Sequence, residues 1–313
     1  MELVSIILSF RNEAELIPKM IHRLQAALDS VPVNHEIIYV NDDSSDNSLE
    51  TLKSFTTNDK RIKVINMSRR FGVYECMLAG MKYAKGDAVV YLDADLQDPP
   101  EVIPALIAKW REGADVVYTV REKREGESFI KLFLTRIAYK MINAVSEISL
   151  PTEAGDFRLL SRRVVDILLQ FDEANPYMRG LITWVGFKQE PVYYIRHKRD
   201  AGVSNFPIFR STGPIKVFAY GLTSFSSIPL VLFLILGIVI TAASIFSFLI
   251  ILALQIVGQS INSNVWLADA LFFTSGIQLL GIGTLGVYLA RVFQDVRHRP
   301  RYIISSTLNL DEK

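Results

Sequence analysis

The chain has 313 residues, 34 Lys and Arg against 33 Asp and Glu for a formal net charge of +1, and half of its residues are apolar. One cysteine excludes an internal disulfide, four scattered histidines offer no zinc-ligand spacing, and so even a charge balance gives no reason to expect a nucleic-acid partner. The charge is local instead: acidic clusters lie in the first third of the chain, basic ones around two long uncharged stretches near the C-terminus.

Residues 4–8, Val-Ser-Ile-Ile-Leu, predict a buried strand closed by Arg11, Asn12 and Glu13. Over 14–28 the residues Ile17, Met20, Ile21, Leu24 and Leu28 recur at helical spacing. A second strand, 36–40, runs into Asn41, Asp42, Asp43, Ser44, Ser45 and Asp46, and a helix over 48–55, a strand over 62–66 and a helix over 73–84 follow. The fourth strand, 88–92, ends in Asp93-Ala94-Asp95-Leu96-Gln97-Asp98-Pro99-Pro100 and repeats the same design, a strand that runs into acidic residues. Alternating strands and helices predict a mostly parallel sheet covered on both faces. Such sheets bind ligands outside the carboxyl ends of their strands, and Asp93 with Asp95 at i and i+2 suits a hard divalent cation shared with phosphate oxygens. The same residues also suit an Asx-rich turn after a core strand. No Gly-x-Gly-x-x-Gly follows the first strand, which favours a nucleoside diphosphate over a dinucleotide.

A fifth strand over 116–120 leads into a charged loop, 121–127, and then into 129–145. There Phe129, Phe133, Leu134, Ile137, Ala138, Met141, Ile142 and Val145 form one stripe with Lys131, Arg136 and Lys140 off it, a basic amphipathic helix suited either to lipid headgroups or to packing on the sheet. Gly155-Asp156 predicts a turn before a helix through Leu169, with Asp156 as a candidate N-cap. Residues 193–199 turn basic, and 206–225 mix aromatics, prolines and Lys216 in the manner of a membrane interface. Residues 227–257 and 270–290 carry no charge, and a crossing needs about 20 apolar residues, so two membrane spans are expected. Arg199, Arg210 and Lys216 before them and Arg291, Arg297, Arg299 and Arg301 after them put both termini on the cytoplasmic side, and the N-terminus lacks the basic region of a signal peptide. Residues 301–305 predict a lone strand that must join an existing sheet or a neighbour's edge, the latter a hint of a homo-oligomer.

Six motifs carry a resemblance along nearly the whole chain: Ser9-Phe10-Arg11-Asn12-Glu13, Val40 to Asp46, Ser68-Arg69-Arg70-Phe71-Gly72, Asp93 to Glu101, Ala154 to Arg162, and Arg199-Asp200-Ala201-Gly202-Val203-Ser204. With two spans after them, the sequence resembles the family 2 polyprenyl-phosphate glycosyltransferases, the group of dolichyl-phosphate mannose synthases and bacterial bactoprenol-phosphate glucosyltransferases. The resemblance implies a GT-A domain over 1–205, an interfacial segment over 206–226, spans at 227–257 and 266–293 and a cytosolic tail over 294–313. It implies that Ser9, Arg11, Glu13 and Asp42 hold the nucleoside half of the donor, with Asp93 near the ribose and metal. Asp95 and Gln97 would ligate Mg²⁺ or Mn²⁺, with Asp93 beside them. Asp156 and Asp95 would be the catalytic carboxylates, and Arg121, Lys131, Arg136, Arg199 and Ser204 would receive the lipid phosphate. Three departures stand out: Ser9-Phe10-Arg11-Asn12-Glu13 stands where relatives often have Pro-x-Tyr-Asn-Glu, Asp43 replaces a common glycine, and Asn205 stands where a lysine is usual.

The reaction so implied is inverting transfer of a hexose, glucose from UDP-glucose in the nearest group, to undecaprenyl phosphate at the cytosolic face of the inner membrane, by a dimer or tetramer. A phosphate monoester with a second pKa of about 6 is largely a dianion at neutral pH, so it needs charge neutralisation more than a base. Two other readings have discriminating features. A processive polysaccharide synthase would carry Gln-x-x-Arg-Trp, which Trp184 lacks, and a non-catalytic scaffold or flippase subunit would not need Asp93, Asp95, Gln97 and Asp156 together.

Overall fold

The computed structural model describes residues 2–124, 154–173, 176–196 and 263–310. Its centre is an eight-stranded sheet of order β7-β5-β6-β4-β1-β2-β3-β8. The strands are β1 (Leu3–Phe10), β2 (Asn34–Asn41), β3 (Ile62–Met67), β4 (Ala88–Asp93), β5 (Val116–Arg124), β6 (Ala154–Ser161), β7 (Gln189–Arg196) and β8 (Ile304–Leu308). β1 pairs in parallel with both β2 and β4, and β2 with β3. β6 is antiparallel between β4 and β5, as β8 is on β3.

Seven α-helices accompany the sheet among the described residues: α1 (Ile17–Asp29), α2 (Ser48–Asn58), α3 (Val73–Tyr83), α4 (Ile103–Arg111), α5 (Arg162–Leu168), α6 (Met178–Trp184) and α7 (Ser263–Val296). Strand alternation sorts the core into two layers. Val4, Ile6, Leu8, Val90 and Leu92 pack with α1, α2 and α4, whereas Ile7, Ile38, Val40, Val89 and Tyr91 pack with α3, α5 and α6. The second layer is tight enough that a Cβ on Gly80 of α3 would stand 2.4 Å from Ile7 Cγ2.

Three sequence expectations change, and one open alternative is decided. Residues 154–161 are a strand rather than a turn, so Asp156 lies in β6 and caps nothing. β5 runs on to Arg124 through the expected loop, because parallel pairing with β7 extends it. The C-terminal strand joins the chain's own sheet at β3, with the Ser68 amide donating to Ile303 O at 2.9 Å, so it gives no hint of a neighbour. The two membrane spans are not carried by the described structure: 227–257 lies outside it, and among the described residues no helix is long and apolar enough to cross a membrane. The second expected span does form one unbroken 34-residue helix, α7. The helix at 129–145, the segment 206–226 and Lys131, Arg136, Arg199 and Ser204 also lie outside the described residues.

Candidate active site

β2 and β3 lie to one side of β1 and β4 to the other, so the strand order reverses between β1 and β4, the place at which open α/β sheets hold their ligand crevice, outside the carboxyl ends of the strands. The last rung of that parallel pair sets Ser9 beside Asp93. Ser9 Oγ lies 3.0 Å from Asp93 Oδ1 and 2.8 Å from the hydroxyl of fully buried Tyr91, which itself donates to Asp93 Oδ1 at 3.1 Å. Ser9 therefore orients Asp93 in this arrangement. The antiparallel β4–β6 register ends at Tyr91 opposite Arg158, and two positions further on it aligns Asp93 with Asp156 on the same face of the sheet. Burial, and then the nearby charges of Asp95, Asp156 and Asp98, push the Asp93 carboxyl up to about 7.

The loop after β4 is shaped by its own carboxylates. Asp95 Oδ1 accepts the Gln97 amide at 3.1 Å across Leu96, whose φ of 58° is rare for a branched side chain. Asp98 is buried and accepts a hydrogen bond from Tyr194 of β7, while Tyr194 packs edge-on against Phe157. The acidic loop is thereby tied to the strand that leads into the basic segment at 197–199.

Loops 11–16 and 42–48 are laced together beside this crevice. Asn12 donates its amide to Ser44 Oγ at 3.0 Å and accepts from the Ser45 amide at 2.8 Å, and the Glu13 amide donates to Ser48 Oγ at 2.9 Å. Asp46 accepts the Ala14 and Ser48 amides; burial would raise its carboxyl, but these bonds outweigh it and hold it below the usual range. Asp43 sits at φ 59°, the left-handed region where glycine is at ease, which accounts for the glycine common in the resembled family. Asp42, expected on the donor, accepts the amides of Phe71 at 2.7 Å and Gly72 at 3.2 Å, and so pins the entry to α3. Arg11 reaches the Asp43 carbonyl at 3.4 Å from an exposed position.

Sequence reasoning missed Arg179, on the first turn of α6. Its Nε donates to Asp156 Oδ1 at 2.7 Å and its Nη2 to Oδ2 at 2.6 Å, a side-on fork with both side chains about three-quarters buried. It lies 23 residues after Asp156 in no recognisable motif, and the only trace of its helix is the apolar set Met178, Leu181 and Ile182. Of the expected acceptor residues, Arg121 is within the described backbone, opposite Tyr194 in the β5–β7 pair.

The carboxylates fit a divalent cation. Burial first, and then the neighbouring carboxylates, raise the Asp93 carboxyl, and a dication would offset the mutual repulsion of those carboxylates; Asp95 and Gln97 stand on one short loop beside it. Among the described residues no group of three or more His, Cys, Asp or Glu side chains is placed to hold a metal ion by itself.

Comparison with known proteins accords with this geometry. Residues 5–169 match the glycosyl transferase family 2 model. The chain is 39% identical to the glycosyltransferase YkcC of Bacillus subtilis over 99% of its own length and 95% of that protein's. It is 34% identical to the bactoprenol glucosyl transferase of Shigella phage SfV, with 97% and 98% covered, and 34% identical to the prophage bactoprenol glucosyl transferase homolog of Escherichia coli K12, with 96% and 98% covered. With carboxylates gathered where the carboxyl end of β4 meets the amino end of antiparallel β6, and with the chain matched end to end by such relatives, the protein belongs to glycosyl transferase family 2 and is a glycosyltransferase.

Proposed function

We propose that the protein transfers a hexose, glucose from UDP-glucose, to undecaprenyl phosphate with inversion at the anomeric carbon. The observation that carries this reading is the convergence of Asp93, Asp95 and Asp156 at the β1–β4 crevice, in a chain alike over its whole length to bactoprenol glucosyl transferases. Mg²⁺ or Mn²⁺ held by Asp95 and Gln97 next to Asp93 would offset charge developing on the leaving diphosphate. Ser9, Arg11, Glu13 and Asp42 line or brace the nucleoside side, and Asp156 orients a hydroxyl or the acceptor. The acceptor phosphate is already an anion, so cationic side chains must bring it to an anionic donor, a task that suits Arg121, Lys131, Arg136 and Arg199, with Ser204 beside them.

A polyprenyl acceptor calls for a membrane surface. The uncharged stretches at 227–257 and 270–290, with basic residues flanking both, support two spans in the plasma membrane with both termini in the cytoplasm. Exposed Leu271, Ile282, Leu285 and Leu289 along α7 agree with a lipid-facing helix. The test incubates membranes that contain the protein with undecaprenyl phosphate and, in parallel, radiolabelled UDP-glucose, UDP-N-acetylglucosamine and GDP-mannose. Label entering an organic-soluble, acid-labile product from UDP-glucose is expected. Label from another donor corrects the sugar, and no lipid-linked label from any of them refutes the acceptor.

A further inference from the structure

We infer that Arg179 is a positioning residue for sugar transfer: it acts through Asp156, fixes the direction of that carboxylate beside Asp93 and Asp95, and touches neither substrate. The inference rests on the carboxylate group being the transfer site. Three observations carry it. First, the fork engages both oxygens of Asp156, at 2.7 and 2.6 Å, which arrests rotation of the carboxylate and leaves its other lone pairs pointing in set directions. Secondly, both ends of the pair are anchored. Asp156 alternates along β6 with Phe157 and Leu159 in one core layer and Leu160 in the other, while Met178, Gly180, Leu181 and Ile182 bury α6 around Arg179. Thr183 Oγ1 also donates to Arg179 O at 2.9 Å, which steadies the first turn. Thirdly, Asp156 stands in a group of carboxylates where an unbalanced charge would be repelled from Asp93, and the guanidinium supplies a local counter-charge.

A residue that works in this way changes the rate more than binding, because misaligning a group at the reacting centre by about 1 Å costs about 100-fold in rate. The experiment uses the full chain in membranes, undecaprenyl phosphate and the donor that the wild type turns over in the panel above. Arg179→Ala is expected to lower kcat about 100-fold with donor and acceptor KM within about threefold of wild type, the pattern of an interaction made in the transition state. Added guanidinium chloride at millimolar concentration is expected to restore part of the rate in Arg179→Ala and none in Asp156→Asn. Arg179→Lys keeps the charge but loses the fork, and falls between; it also serves if the alanine variant does not accumulate. Residues that act as one unit give non-additive losses, so Asp156→Asn with Arg179→Ala should transfer no more slowly than Asp156→Asn alone. Multiplicative losses in the double variant, or a raised acceptor KM at unchanged kcat, overturn the inference and make Arg179 a substrate contact. Wild-type transfer by Asp156→Asn would instead overturn the reading of the site itself, and the inference with it.

Discussion

Glutamine at Glu36 should destabilise the protein by about 3 kcal/mol without touching its chemistry. Glu36 lies near the start of β2, only 4% exposed, at the opposite end of the sheet from Asp93. One oxygen accepts Ser5 Oγ at 2.5 Å and the Lys85 amide at 2.6 Å, and the other takes Lys63 Nζ at 2.5 Å. Removing one partner of a buried pair costs about 3–5 kcal/mol, and the lower end applies because the Lys63 side chain keeps 14% of its surface exposed. An amide would still accept from Ser5 and Lys85, but its NH₂ would face the ammonium. At about 2–4 °C per kcal/mol, Tm should fall by about 6–12 °C in thermal unfolding followed by circular dichroism. The pH dependence has a definite sign. Burial raises the Glu36 carboxyl, but the Lys63, Ser5 and Lys85 bonds outweigh it and leave it below its usual 4.5, so the stabilisation is complete above that value and is lost as pH falls through the lower folded value. The gap between wild type and Glu36→Gln should hold steady from pH 6 to 8 and close in acid. A gap under about 1 kcal/mol, or one unchanged by acid, would refute the argument.

Other outcomes follow from packing and from the acidic loop. Gly80→Ala drives a methyl against Ile7 and should cost about 1–3 kcal/mol, less about 1 regained from helix propensity; a Tm at or above wild type would show that α3 stands off β1. Asp43→Gly relieves a left-handed residue and should raise Tm slightly, by about 0.5–1 kcal/mol of stability, in the same melt. Asp95→Asn still accepts the Gln97 amide but loses its charge, so it should fold normally while transfer drops by about 100-fold and calorimetry finds no Mg²⁺-dependent donor binding; a metal response like that of wild type would remove Asp95 from the metal site.

The parallel half of the fold was legible because its strands are short apolar runs punctuated by carboxylates, and a two-residue period with two buried faces leaves few alternatives. β6 was not: Gly155 and Asp156 read as a turn, and only pairing with β4 and β5 makes them a strand. β7 was hidden similarly, since Tyr193 and Ile195 stay exposed while Tyr194 is buried, a pattern masked by the basic residues that follow. Within the site, the Asp-x-Asp loop was visible as a local motif. The Arg179–Asp156 pair joins a strand to a helix, and pairing across that separation is invisible to any local period.

The strand that closes the β3 edge also sets an order of events in biosynthesis. β1 to β4 are complete within the first third of the chain, but the open side of β3 acquires its partner only when residues 304–308 leave the ribosome, after α7. Until then a sheet edge with unpaired amides stays available for wrong partners, so a chain truncated after α7 should be held by chaperones or lost to aggregation even though every carboxylate of the site is already present.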